Sequence, residues 1–254
     1  MNIASISKTF VGVALMHLVE KGLIGLDDDV NTFLPFKVLN PYLPESIITP
    51  RHLMSHSSGI KDYQKVYLSS YHYGGDSPIP LGEFLEDYLS PDGTHYSKKN
   101  FTKSKPGEKF VYSNIGAGLA GYIVERVSGK PLNVFTKEII FKPLGMNNTC
   151  WFLSEMDRAK HSRLYESKKN NTLLDNIDLY GLTTYPDGGV RTTVADLSRY
   201  LLCIMNKGIY NGPRILKEET VAEMLTADYI DSYTKFWSIG DQVGHGGGDP
   251  GVST

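Results

Sequence analysis

The chain is poor in cysteine, in net charge and in long apolar runs, and each shortage removes a class of protein. Two cysteines, Cys150 and Cys203, are too few for a disulfide framework or a thiolate metal site. Cys203 lies in the apolar run 200–205, where a buried, inert thiol is expected. The formal net charge of −2 supplies no basic field for nucleic acid, and the short lysine pairs Lys98-Lys99 and Lys168-Lys169 read as solvated loops. No apolar stretch approaches the roughly 20 residues that a membrane span needs. The N-terminus has no basic region followed by an apolar one, so the chain as written is expected to be neither inserted nor exported. Asn100-Phe101-Thr102, Asn147-Asn148-Thr149 and Asn170-Asn171-Thr172 match a glycosylation sequon, a loose pattern that has meaning only with eukaryotic secretion.

What the chain does have is 254 residues with 41% hydrophobic and 21% charged content, enough for a large core or two subdomains sharing one cleft. Apolar residues recur at helical spacing from Phe10 to Val19 and stop at Gly22, which places Ser5 at or just inside a helix N-terminus. Residues 26–35 read as a turn and a short helix. Thr49 as cap and Pro50 as first helical residue start another helix, ending at 57–59. Further helices are expected over 81–89, over 115–128 with Gly129 as its stop, over 132–140, and over 194–206 with Thr193 as cap. Residues 63–106 are rich in Tyr, Ser, Gly and Pro and read as an irregular insertion forming one wall of a cleft, in which Tyr67, Tyr71, Tyr73 and Tyr88 line a pocket or pack. Residues 233–243 alternate like a strand leading into a glycine-rich turn. No repeat or linker divides the chain, so 1–254 reads as a single domain.

Three motifs carry chemistry. Ser5 and Lys8 are three apart on one helix face, so the amine reaches the hydroxyl, and a lysine desolvated in a cleft can help take the serine proton. Ser58/Lys61 and Ser232/Lys235 have the same spacing, but only Ser5 opens a long apolar helix. Tyr112 and Asn114 flank Ser113 on a tight loop before a glycine-containing helix, which would turn a phenol and a carboxamide to a cleft. Gly244-His245-Gly246-Gly247-Gly248 holds too many glycines for a regular buried strand. It would instead let backbone N–H groups approach a developing oxyanion. His52 and His56, four apart, have the spacing of a metal pair, yet no Glu lies between them and no third ligand suggests itself.

Taken together, these residues resemble the serine β-lactamase-like superfamily, and most closely its class C β-lactamase-related branch of esterases, D-aminopeptidases, carboxypeptidases and penicillin-binding-protein-like hydrolases. The stretches 48–60, 106–114, 143–146 and 188–190 resemble that family's blocks, so the likeness runs from end to end. The resemblance implies an α+β, β-lactamase/transpeptidase-like fold: an antiparallel sheet flanked by helices, plus a helical subdomain. It implies a serine hydrolase working through an acyl-enzyme on an ester, a D-amino-acid peptide or a β-lactam-like amide, with no metal or cofactor and a small-molecule or short peptide partner. Ser5 would be the nucleophile, with Lys8 and Tyr112 as the proton shuttle. Asn114, His245, Gly247 and Gly248 would be substrate-binding or oxyanion positions, with the Ser5 and Gly248 N–H groups forming the oxyanion hole. His245 stands where β-lactamases of this branch carry Lys, which favours esterase or peptidase chemistry over a carboxylate-bearing β-lactam. Relatives of this kind are exported to the periplasm or cell exterior. They also have segments before the nucleophile helix and after the glycine strand. The chain is therefore expected to be incomplete at both ends, with terminal sheet strands missing, the strand 242–247 unpaired and the site poorly held. A non-catalytic binding protein on the same scaffold is the alternative from a different class.

Overall fold

The computed structural model describes residues 1–167 and 174–254; the pair Lys168-Lys169 and the sequon at Asn170 lie outside the described residues. The order is α1 (Ser7–Glu20), α2 (Pro50–Met54), α3 (Gln64–Tyr67), β1 (Tyr71–Tyr73), α4 (Leu81–Leu89), α5 (Asn114–Ser128) and α6 (Leu132–Thr136). It continues with β2 (Leu164–Ser167), β3 (Leu174–Ile177), β4 (Tyr180–Leu182), α7 (Val194–Met205) and α8 (Glu218–Met224). The short strands β5 (Tyr233–Thr234), β6 (Trp237–Ser238), β7 (Gly248–Asp249) and β8 (Val252–Ser253) follow. The fold is α+β, as expected. Among the described residues its antiparallel component consists of four two-stranded ladders, β1/β4, β2/β3, β5/β6 and β7/β8.

Helix α1 lies at the centre, buried from Ser7 to Met16 and again at Leu18, as an all-round apolar helix must be. Phe10 stacks on Tyr200 at 4.2 Å and meets the ring of Phe141 edge-on at 5.5 Å. Helix α5 packs beside α1. The Ser113 hydroxyl caps its start by accepting the Gly116 N–H, and Gly129, with φ of 68°, ends it in the left-handed conformation that a glycine takes without penalty. The small residues of α5 admit close neighbours: a β-carbon on Gly121 would lie 2.5 Å from the Pro186 side chain. The turn Tyr185–Asp187 thereby sits between α5 and α1, which fixes one wall of the site.

Caps and stops placed several elements as expected. Thr49 and His52 form a capping box at α2, Thr193 caps α7, and α4 spans residues 81–89. The helix expected over 132–140 instead divides into α6 and a wider π-turn, Lys137–Phe141, next to the point where Thr136 Oγ1 accepts the Trp151 indole N–H at 2.8 Å. The strand expected from 233 onward is also interrupted. Lys235 and Phe236 both take left-handed φ values, 39° and 66°, and the chain doubles back as the β5/β6 hairpin. Tertiary contacts impose this turn, because the buried Lys235 ammonium pairs with Asp228 at 2.7 Å and the Phe236 N–H donates to the Met54 carbonyl at 2.8 Å. Residues 242–247 do not form the expected strand. Gly244 bridges to Ser238, and Gly247 exchanges hydrogen bonds of 2.9 and 2.8 Å with Thr254, so the segment is tied at both ends.

Candidate active site

Ser5 sits in a single 3-10 turn, Ala4–Ile6, that leads directly into α1. The turn is pinned from several sides: the Ile3 N–H donates to the Val190 carbonyl at 3.1 Å, and the Ala4 N–H to Asn2 Oδ1 at 2.8 Å. Ala4 is fully buried at φ 46°, a left-handed position that costs a non-glycine residue about 1 to 3 kcal/mol and persists only where the surroundings enforce it.

One turn later, Lys8 is 0% exposed, and its ammonium has two oxygen partners. Nζ donates to Ser5 Oγ at 2.9 Å and to the Asp187 backbone carbonyl at 2.6 Å, and lies 4.9 Å from the centre of the Tyr112 ring. The turn wedged against α5 thus aims the lysine, and the helical spacing of Ser5 and Lys8 is realised as a direct bond. The other two matches to the motif behave differently. Ser58 accepts the Ile60 N–H, while Lys235 is spent on Asp228 and on the Thr226 carbonyl.

Tyr112 lies on the extended approach to α5, exposed on one side. Asn114 is the first residue of α5, half-buried, and its backbone N–H donates to Asp62 Oδ2 at 2.9 Å. The same carboxylate accepts from Ser113 Oγ at 2.9 Å and from the Ile115 N–H at 3.1 Å. Asp62 belongs to no motif, and nothing in the sequence around it marks this role.

The glycine-rich segment forms the facing lip. A β-carbon on Gly247 would meet the Ile3 carbonyl oxygen at 2.5 Å and Ala4 Cβ at 3.1 Å, so glycine lets the lip lie directly on the nucleophile turn. The Gly247 N–H is used within the ladder. Gly248 is paired with Ser253 at the next register position, which in an alternating antiparallel ladder is a non-hydrogen-bonded pair, so its N–H points out of the ladder. The two glycines therefore occupy different positions: Gly247 permits close approach, and Gly248 leaves a donor facing away from β8.

His245 has both ring nitrogens committed. Nδ1–H donates to the Gly246 carbonyl at 2.5 Å, and Nε2 accepts from the Tyr233 hydroxyl at 2.8 Å. Burial pushes its pKa down to about 4, and the Lys8 charge adds to that, so the ring is neutral at neutral pH. His52 and His56 also act through Nδ1 on backbone groups, accepting the N–H of Thr49 and of Ser113, each at 3.2 Å. Their roles are a helix cap and a loop clamp.

Two carboxyl groups line the wall beside Lys8. Asp187 is buried, accepts from the Tyr67 hydroxyl at 3.3 Å, and has its pKa raised to about 7 by desolvation, with Asp249 adding to the rise and Lys8 opposing it. Asp249 accepts from the Tyr71 hydroxyl at 2.5 Å, and burial raises its pKa too. Tyr67 and Tyr71 belong to the 63–106 wall and reach the site, whereas Tyr88 packs inside, donating to the Lys61 carbonyl and accepting the Tyr63 N–H. Tyr73 is 55% exposed. Asn100 is buried with its carboxamide donating to the Tyr88 and His95 carbonyls, which removes that sequon from the surface. A cavity of about 480 Å³ between Phe141, Trp151 and Thr193 contains none of the proposed catalytic residues.

Among the described residues no helix is long and apolar enough to cross a membrane. The chain is 27% identical to a penicillin-binding protein of Bacillus subtilis (strain 168), over 99% of this chain and 56% of that protein. The octameric penicillin-binding protein homologue from Pyrococcus abyssi superposes with a TM-score of 0.75 at 30% identity, covering 97% of this chain and 56% of that one. The penicillin-binding protein of Bacillus halodurans gives 0.75 at 25% identity, over 100% and 74% of the two chains. The chain thus spans about half the length of the Bacillus subtilis relative. With the Beta-lactamase family model matching residues 1–253, and with a β-lactamase/transpeptidase-like fold, the chain belongs to the Beta-lactamase family.

Proposed function

We propose that this chain carries a serine acyl-transfer site and acts as a hydrolase through a Ser5 acyl-enzyme. The observation that carries the reading is the 2.9 Å bond between Ser5 Oγ and the fully buried Lys8 Nζ. Buried and fixed on the hydroxyl by a backbone carbonyl, the Lys8 amine group is, in its deprotonated form, a pre-organised proton acceptor for a serine nucleophile. Ser5 Oγ attacks the acyl carbon while its proton enters the Lys8–Tyr112 pair. The leaving alcohol or amine takes that proton as the old bond breaks. Water then attacks the ester, gives its proton to the same pair, and frees Ser5. The outward N–H of Gly248, with that of Ser5, is the donor pair for the oxyanion, and Asn114 orients the bound acyl group.

The sign of the charge at the site supports a substrate class. His245 is neutral, and the carboxyls of Asp187 and Asp249 face the same wall, so a substrate carboxylate finds little positive charge beyond Lys8. An uncharged ester or a D-amino-acid peptide or amide suits this wall better than a carboxylate-bearing β-lactam. The test is covalent labelling of Ser5 by a fluorophosphonate, with hydrolysis of p-nitrophenyl acetate and nitrocefin followed in parallel. Labelling at Ser5 and ester hydrolysis faster than nitrocefin turnover are expected, and Ser5→Ala should abolish both activities. Hydrolysis that survives Ser5→Ala would reject the reading in favour of a binding protein on this scaffold.

A further inference from the structure

His56 belongs to no motif with an assigned task, yet it holds Tyr112 from three directions. Its carbonyl accepts the Val111 N–H at 2.7 Å, and its ring Nδ1 accepts the Ser113 N–H at 3.2 Å, so the residues on either side of Tyr112 hang on one histidine. The ring itself lies 4.2 Å from the Tyr112 ring, tilted by 40°. Phe236 at 5.4 Å, Tyr233 at 5.0 Å and Phe110 at 5.9 Å close the remaining sides, leaving the imidazole 1% exposed. Because Nδ1 accepts, Nε2 carries the proton, and that buried N–H finds no partner among the described residues. An unsatisfied buried donor is destabilising. His56 also takes a left-handed φ of 52°, which a side-chain-bearing residue adopts at a further cost. Two local penalties at one residue indicate that its placement serves something besides packing.

We propose that His56 is a positioning residue: it fixes the Val111–Ser113 backbone and the ring plane of Tyr112 so that the phenol stays set against the Lys8 ammonium. The inference rests on the reading of Tyr112 as a partner in proton transfer. Burial keeps the imidazole neutral, with the Lys8 charge adding to it and, when protonated, that of His245, so the clamp is a neutral ring.

Three substitutions separate its components. His56→Ala removes ring and acceptor; His56→Asn keeps an acceptor near the Nδ1 position and suits a left-handed backbone; His56→Phe keeps a ring but no acceptor. With 3-fluorotyrosine incorporated at position 112, the parent chain should give one narrow fluorine resonance. His56→Ala should broaden or split it and slow fluorophosphonate labelling of Ser5 by about 10- to 100-fold, the scale expected when a reacting group is misplaced by about an ångström. KM for p-nitrophenyl acetate should change little while kcat falls, and His56→Asn should recover more of the rate than His56→Phe. A folded His56→Ala variant with the parent's resonance and labelling rate would overturn the proposal. So would a loss of rate equal in all three variants and proportional to the fraction unfolded. If the parent chain itself is not labelled at Ser5, the hydrolase reading fails, while the fluorine spectra still decide whether His56 sets Tyr112.

Discussion

Burying an ammonium is expensive unless its protons are taken, and Lys8 directs its hydrogen bonds to a hydroxyl and a backbone carbonyl. Lys8→Met keeps the stem and volume while deleting the charge. Fluorophosphonate labelling of Ser5 should fall by about 10²- to 10⁴-fold, the usual weight of a positioned proton-transfer group. The thermal midpoint should hold within a few degrees, since an apolar replacement for a buried charge is often tolerated. A labelling rate unchanged by this substitution would remove Lys8 from the mechanism. At this scale the sequence was legible where the chemistry is local: Ser5 and Lys8 are neighbours on a helix, and their spacing together with the long apolar helix they open sets them apart from the two other matches. Asp187 and His56 were not legible in these roles. Asp187 meets Lys8 from 179 positions away, and His56 clamps Ser113 from 57 positions away. Spacing pointed His56 toward a metal pair, whereas the fold gave it a loop to hold.

Among the elements, α5 depends on a residue outside it. The Asp62 carboxylate accepts three hydrogen bonds at the N-terminus of α5, where the helix dipole also favours negative charge. Asp62→Ala should destabilise the chain by about 1 to 3 kcal/mol, the combined worth of a lost cap and stranded donors. A denaturant titration measures this, and a midpoint unchanged from the parent would show that water replaces the carboxylate. Boundaries set by local devices, such as the Thr49 and Thr193 caps and the left-handed Gly129, could be read from the sequence because each is written within a few residues of the end it fixes. The reversal at Lys235 and Phe236 could not. Two ordinary residues are forced into left-handed backbone by a buried ion pair to Asp228 and by the Met54 carbonyl, and an alternating pattern gives no sign of either.

Across the whole molecule, two sets of buried groups pull stability in opposite directions with pH. Unfolded histidines take up a proton near pH 6.5, whereas folded His245 does so only near 4, and burial holds His56 well below the ordinary histidine value too. Between those limits the unfolded chain binds more protons, so these residues make stability rise with pH. Asp187 works the other way. Unfolded it loses its proton near 3.8 and folded near 7, so across that window the native chain holds the extra proton and stability falls as pH rises. Asp187→Asn removes the falling branch and can still accept from Tyr67. In thermal melts across pH 4 to 8 the midpoint of the variant relative to the parent should climb steadily up to about pH 7 and then level off. A constant difference across the range would mean that Asp187 does not titrate in this window.

The burial of α1 on every side has a consequence for time as well as for place. A helix enclosed in the core opens only when the whole molecule opens, whereas two-stranded ladders at the surface open locally and often. The site joins one of each. Lys8 rides on α1, with Ser5 on the turn that leads into it, and Gly248 rides on the β7/β8 lip; amide exchange is expected to be slow along the middle of α1 and fast on the lip. On the proposed reading, Ser5 and Lys8 persist as long as the chain is folded, and the Gly248 half of the oxyanion pair is the part whose lifetime sets how long the complete site exists between openings.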